Sequence, residues 1–121
     1  MSKNVLALGL DPACADPSEF PGFSVDLVRA FIDAQLERLR GLGYAVESCL
    51  VDTGGNAEAE VARRLRTQAF DCVMIGAGLR APSLLLLFEK LINLIHEHAP
   101  RARICFNASP ADTAEAVQRW I

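Results

Sequence analysis

Gly76-Ala77-Gly78-Leu79-Arg80, directly after the apolar run Cys72 to Ile75, is the segment of this sequence richest in chemistry. Two glycines after a strand let the backbone turn sharply. A helix start beyond them offers free N–H groups to an anion, and an arginine adds a bidentate contact to phosphate or carboxylate. Ala81 stands where the third glycine of a dinucleotide fingerprint belongs, and the Walker lysine is absent. Tight strand-to-helix packing accounts for the same glycines. Asp11, Asp16, Glu19 and Asp52 make the adjoining rim acidic, which opposes a free polyphosphate without a divalent cation. Asp11 with Asp52 suits Mg²⁺ held through a few oxygens and several waters. A receiver-type phosphoacceptor needs more: here the third strand ends in glycine, and Asn107 stands where a lysine should help, Lys3 and Lys90 being the only lysines. No metal is therefore assigned.

Nucleophiles are scattered. Cys14, Cys49, Cys72 and Cys105 lack both CxxC spacing and the paired clusters of a zinc site. The last three fall in or beside apolar runs, where cysteine behaves as a small hydrophobe. Cys14 alone lies in a polar loop, so a thiol enzyme would have to use it, and no base is apparent. His96 and His98 sit on a helical stretch away from the strand ends, and no GxSxG elbow occurs. No named reaction follows.

The elements that must position these residues alternate regularly. Val5 to Leu10, Tyr44 to Val51, Cys72 to Ile75 and Ile104 to Phe106 read as strands bounded by turn signals. Between them, a first helix capped by Ser24 turns Val28, Phe31, Ile32, Gln35, Leu36, Leu39 and Leu42 inward. A second, capped by Asn56, buries Val61, Ala62, Leu65 and Ala69 and leaves Arg63, Arg64 and Arg66 solvated. A third spans 82–98 with Pro82 in its first position. A fourth has Ser109 as cap, Pro110 first, and Ala114, Val117 and Trp120 or Ile121 inside. Strand–helix repeats imply right-handed crossovers and a parallel sheet. The expectation is a single α/β domain over 1–121, a three-layer α/β/α sandwich with four parallel strands. Strand order 2-1-3-4 is expected and 3-2-1-4 is the alternative, with the first helix on one face and the second and third on the other.

In such sheets ligands bind beyond the carboxyl ends of the strands, where the chain order reverses. That rule gathers Asp11, Cys14, Asp52, Gly76, Gly78, Arg80, Asn107 and Ser109 on one edge. The connection from Asp11 to Phe23 runs 13 residues, against about 2 to 6 for an ordinary strand-to-helix loop. Pro12, Pro17 and Pro21 stiffen it, and Phe20 and Phe23 can anchor it as a lid, a partner surface or a cover for the sheet edge. The third helix carries an apolar stripe that includes Leu84, Leu85, Leu87, Phe88, Leu91, Ile92, Leu94 and Ile95. Leu86 stands on the opposite face, which suits a partner helix in a homodimer.

Composition fits this. The 121 residues are 51% hydrophobic and 22% charged with net charge −3, and the pI is near 5.3. An acidic globular domain of this kind is not built to grip nucleic acid. Its longest apolar run, Leu84 to Phe88, is far short of the roughly 20 residues that span a bilayer, and Met1 to Asn4 shows no signal-peptide pattern. A cytoplasmic location is expected, with neither nucleic acid nor membrane as partner.

The stretch Asp71 to Arg80, with Leu87-Phe88-Glu89, Asn93, His96, Ala99-Pro100, Ile104 to Asn107 and the Gly9-Leu10-Asp11-Pro12 opening, resembles a family of small bacterial proteins of unknown function. That resemblance covers most of the chain. It implies a single Rossmann-like, flavodoxin-like domain and draws attention to Asp11, Gly76, Gly78, Arg80, Glu89, Asn93, His96 and Asn107, without adding an activity or a cofactor. The leading expectation is a binder of a small anionic metabolite or nucleotide through Asp11, Gly76, Gly78, Arg80 and Asn107. The alternative is a non-catalytic interaction or oligomerisation module using helix 82–98 and the 11–23 loop.

Overall fold

A computed structural model describes residues 2–22 and 24–121; Met1 and the proposed anchor Phe23 lie outside the described residues. Strands β1 (Asn4–Leu10), β2 (Ala45–Val51), β3 (Cys72–Ile75) and β4 (Arg103–Phe106) alternate with helices α1 (Val25–Gly41), α2 (Ala57–Thr67), α3 (Leu85–His98) and α4 (Thr113–Gln118). Every pairing is parallel and the order is β2-β1-β3-β4. The expected 2-1-3-4 arrangement holds, and 3-2-1-4 is excluded.

Alternation along the strands builds two cores. Leu6, Leu8, Leu10, Val73 and Ile75 face α2 and α3, where Val61, Leu65, Leu91 and Ile95 close over them. Val5, Ala7, Cys72, Met74 and Cys105 face α1 and α4, against Leu36, Leu39, Ala114 and Val117. Cys49, Cys72 and Cys105 are buried free thiols, and Cys72 and Cys105 lie sulfur to sulfur at 3.5 Å. That contact first, and burial second, push the Cys72 thiol up from its ordinary value. Both sheet edges are closed by arginines that donate to outward carbonyls: Arg40 to Val46 and Arg64 to Ser48 on β2, Arg119 to Phe106 on β4. Such plugs discourage strand-to-strand association.

The helix starts follow local hydrogen bonding, and two differ from the sequence expectation. Ser24 Oγ accepts from the Leu27 N–H at 3.4 Å and starts α1 as expected. Asn56 holds the cap position of α2 without a side-chain bond. Pro82 does occupy a first position, but of a 3-10 turn, Pro82–Leu84, so α3 begins at Leu85. Ser109 does not cap α4. Residues 109–112 close as a turn, with the Asp112 carboxylate accepting from the Ala108 and Ser109 N–H groups, and the helix begins at Thr113.

Four inward assignments also change. Phe31 is 42% exposed and Leu42 is largely exposed. Ala69 lies past the end of α2 and is exposed. Leu85 joins Leu86 outside, at 62% and 71% exposure. Of the two alternatives at the end of α4, Ile121 packs on the core and Trp120 is exposed. Arg64 is not a solvated residue: it sits low on the surface and pairs with Glu60 and Glu47. Gln35, the polar member of the α1 stripe, accepts from the Ala114 N–H at 2.9 Å and so joins α1 to the first turn of α4.

Candidate functional site

A cleft of about 350 Å³ opens at the carboxyl ends of β1 and β3, between the sheet and the N-terminal half of α1. It lies where the strand order reverses, with β2 reached on one side of β1 and β3 on the other. Its cause is side-chain volume. On the α1 face β1 presents Val5, then Ala7, then Gly9; β3 presents Cys72, Met74, then Gly76; and β2 contributes Ser48. The floor therefore sinks toward the strand ends. Leu36 and Leu39 reach the deep packed part and are buried, whereas Leu27 and Phe31, one to three turns earlier, stand over the shallow part at 55% and 42% exposure. Leu50 and Val28 complete the apolar walls.

One rim is the first loop, through Phe20, Pro21 and Gly22; the opposite rim is Asn107 to Pro110 with Thr113. Among the described residues, no charged side chain lines the cleft; its side-chain polarity comes from Ser24, Ser48, Asn107, Ser109 and Thr113. Mostly apolar walls with a few hydroxyl and amide groups are the ordinary make-up of a small-molecule pocket, and this volume lies at the lower end of the usual range.

The sequence-derived residues divide. Gly76, Gly78 and Asn107 reach the cleft; Asp11 and Arg80 do not line it. Asp11 is a fastener, its Oδ1 accepting from Ala13 N–H at 3.0 Å and from Arg29 at 2.6 Å. Arg80 turns to the other side of the sheet, its guanidinium 5.1 Å from the centre of the Phe106 ring. It donates to the carbonyls of Ile75 and Asn107 and to Asn107 Oδ1 at 3.3 Å. Burial lowers its pKa and Asp112 partly opposes that; an arginine so placed stays charged but points its donors at the backbone.

Asn107 is buried and holds three elements together. Its Oδ1 accepts from the Ala77 N–H at 3.0 Å and its Nδ2 donates to Thr113 Oγ1 at 3.1 Å. Gly78 is a packing glycine, since a Cβ there would meet Leu10 Cβ at 3.0 Å. Gly76 donates its N–H to Leu8 O at 2.8 Å. The Gly76 and Ala77 N–H groups and the Arg80 guanidinium thus have internal partners. Asp112 also fills the backbone turn after β4 with a carboxylate of its own.

Asp52 caps its own turn by accepting from Gly54 N–H at 2.9 Å. Among the described residues, no three His, Cys, Asp or Glu side chains gather as metal ligands. Cys14 is half-buried against the α2–α3 core. Glu89, Asn93 and His96 lie exposed along α3, where Asn93 donates to Glu89 O at 2.9 Å.

The cleft residues that topology alone did not find are Ala7, Gly9, Ser48, Leu50, Leu27 and Val28. Their signal is the alternation within Val5-Leu6-Ala7-Leu8-Gly9-Leu10, which puts every large residue after Val5 on one face. No helix among the described residues is long and apolar enough to cross a membrane. No protein-family model matches the chain, and no curated protein does so.

Proposed function

We propose that this domain binds a small, uncharged, predominantly apolar molecule in the cleft under α1, with the polar end of the ligand toward Asn107 and Ser109. One observation carries this: an apolar cleft at the strand-order reversal whose lining, among the described residues, has no charged side chain. The location is the one expected from the sequence; the ligand class differs. A buried anion needs paired, hydrogen-bonded charge to offset its desolvation, and Asp11 and Arg80 are engaged with Arg29 and with backbone carbonyls instead.

Two dyes that share a ring skeleton test the assignment. Neutral phenylnaphthylamine is expected to bind at least about tenfold more tightly than its sulfonated analogue, because the sulfonate loses water without gaining a cation. The reverse order would restore the anion reading with Arg80 as its anchor.

A second reading rests on Leu85 and Leu86, adjacent and more than half exposed at the start of α3. They suit an oligomer contact involving 82–98 and the 11–23 loop. Sedimentation analysis decides it: a dimer that Leu86→Glu dissociates supports the contact, and a monomer at high concentration removes it.

A further inference from the structure

The floor of the cleft has an ordered layout that narrows the ligand class. On the α1 face the strand register sets Ser48, Ala7 and Met74 side by side in one row across β2, β1 and β3. One step nearer the strand ends, Leu50 lies beside Gly9. Gly76 follows Met74 on the same face with extended backbone, φ −71° and ψ 157°, and a Cβ there would stand 3.6 Å from Gly9 Cα. Asn107 comes next, just after β4, with its Oδ1 accepting from the Ala77 N–H at 3.0 Å. The end row is therefore a leucine, two adjoining glycines and an asparagine. Neighbouring glycines in a sheet leave bare peptide groups, an arrangement that lets a ligand approach the backbone closely.

That layout fixes a shape. Above the row, α1 keeps its side chains, Leu27, Val28 and Phe31, while the glycine floor has none. The missing layer is about one side chain thick, yet it runs from β2 to the turn after β4, roughly 14 Å at the usual strand spacing. A space that thin and that broad takes a plate rather than a sphere. Its two ends differ. Leu50 makes one end apolar. At the other, both amide atoms of Asn107 are engaged, with Ala77 and with Thr113. Ser109 Oγ accepts from the Ala111 N–H at 3.2 Å, and among the described residues its own proton is not donated. A hydroxyl carries one proton to give, so this end offers a donor.

The geometry points to a flat, neutral aromatic ligand about two to three fused rings long, lying parallel to the sheet on Gly9 and Gly76, with a carbonyl oxygen at one end accepting from the Ser109 hydroxyl. This rests on the ligand-binding reading above and names the class. The ring faces meet the peptide groups below and the α1 side chains above, and the carbonyl sets which end lies toward Ser109.

Three compounds on one carbon skeleton test this, with affinities read from the Gly9 and Gly76 amide shifts: acetylnaphthalene, its fully saturated counterpart, and ethylnaphthalene, which lacks the oxygen. The planar ketone should bind at least about tenfold more tightly than the saturated one, against the order that hydrophobicity alone would set. Removing the oxygen should weaken binding about three- to tenfold, the range of one net hydrogen bond, and Ser109→Ala should abolish that difference. Gly76→Ala has backbone angles that suit alanine and places its Cβ in ordinary contact at 3.5 and 3.6 Å. It should leave unfolding stability unchanged and weaken the planar ketone at least about tenfold, because a slot one ring thick has no room for a methyl. A saturated ketone that binds as well or better, or a Gly76→Ala protein that binds the planar one unchanged, would overturn the flat slot and leave an apolar cleft standing. A ketone no tighter than the hydrocarbon, or a difference that survives Ser109→Ala, would overturn the carbonyl contact. No saturable shift with any of the three, nor with phenylnaphthylamine, would overturn the ligand-binding reading itself.

Discussion

The two faces of the sheet carry the same strands and end differently. Toward α2 and α3, Leu8, Leu10 and Ile75 continue at full size to the strand ends and the helices lie flush. Toward α1, the side chains shrink from Val5 to Ala7 to Gly9, and the helix bridges a gap. Packing at crystal-like density leaves few voids larger than a water in ordinary cores. The cleft under α1 is therefore a property of the residues chosen, not of the topology.

Truncations should separate the faces most strongly. Leu8→Ala, at a fully buried position, is expected to cost about 2–5 kcal/mol. Phe31→Ala removes a larger side chain that is already half in solvent, and should cost no more than about 1 kcal/mol. Urea unfolding of the two variants measures both. Equal losses would mean that α1 is packed as tightly as α3 and that no cleft exists.

Arg80→Ala comes next. It strips donors from the Ile75 and Asn107 carbonyls and from Asn107 Oδ1, and a loss of about 1–3 kcal/mol is expected from acceptors left unpaired. Neutral dye affinity should stay within twofold. A stable variant with lost binding would assign Arg80 to the ligand.

Gly9→Val fills the floor without disturbing the other face. The nearest atom to a Cβ there is the end of the Leu50 side chain at 3.2 Å, and that side chain is exposed enough to yield. Dye affinity should fall at least tenfold, about 1.4 kcal/mol, with unfolding stability nearly unchanged. Unaltered affinity would move the binding site elsewhere.

The smallest effect is electrostatic. Arg63 and Arg64 hold the Glu60 carboxyl down to about 2, below its ordinary unfolded value near 4.3. A depressed carboxylate adds stability that is present above the unfolded pKa and lost as pH falls through the folded one. Stability should therefore decline between about pH 5 and pH 2, and Glu60→Gln should flatten part of that slope. Glu115, lowered by Arg38, and Asp16, lowered by Ser18, act in the same sense. Glu115 and Asp16 are exposed and Glu60 is partly so, so salt should shrink the effect.

Much of the architecture was legible from periodicity. Leu36 and Leu39, Val61 and Leu65, and Leu91 and Ile95 lie on the faces their spacing marks, and β-α alternation leads to the 2-1-3-4 sheet. Helix starts were less legible, because Pro82 and Pro110 suit a 3-10 turn or a plain turn as well as a first helical turn. Of the site, topology located the edge and brought Gly76, Gly78 and Asn107 to it. It could not show that Arg80 folds back onto Phe106 or that Asp11 serves Arg29, since both depend on side-chain direction across elements distant in sequence. Residue size along β1 was the readable clue to the cleft, and it lies in a strand where hydrophobicity draws attention before volume does.

Amide chemical-shift mapping during titration with phenylnaphthylamine tests the central claim most directly. The expected result is saturable shifts concentrated at Gly9, Phe31, Leu50, Gly76 and Ser109, with the α2 and α3 amides still. Shifts centred on Leu85, Leu86 or Arg80, or none at saturating dye, would contradict a ligand site under α1.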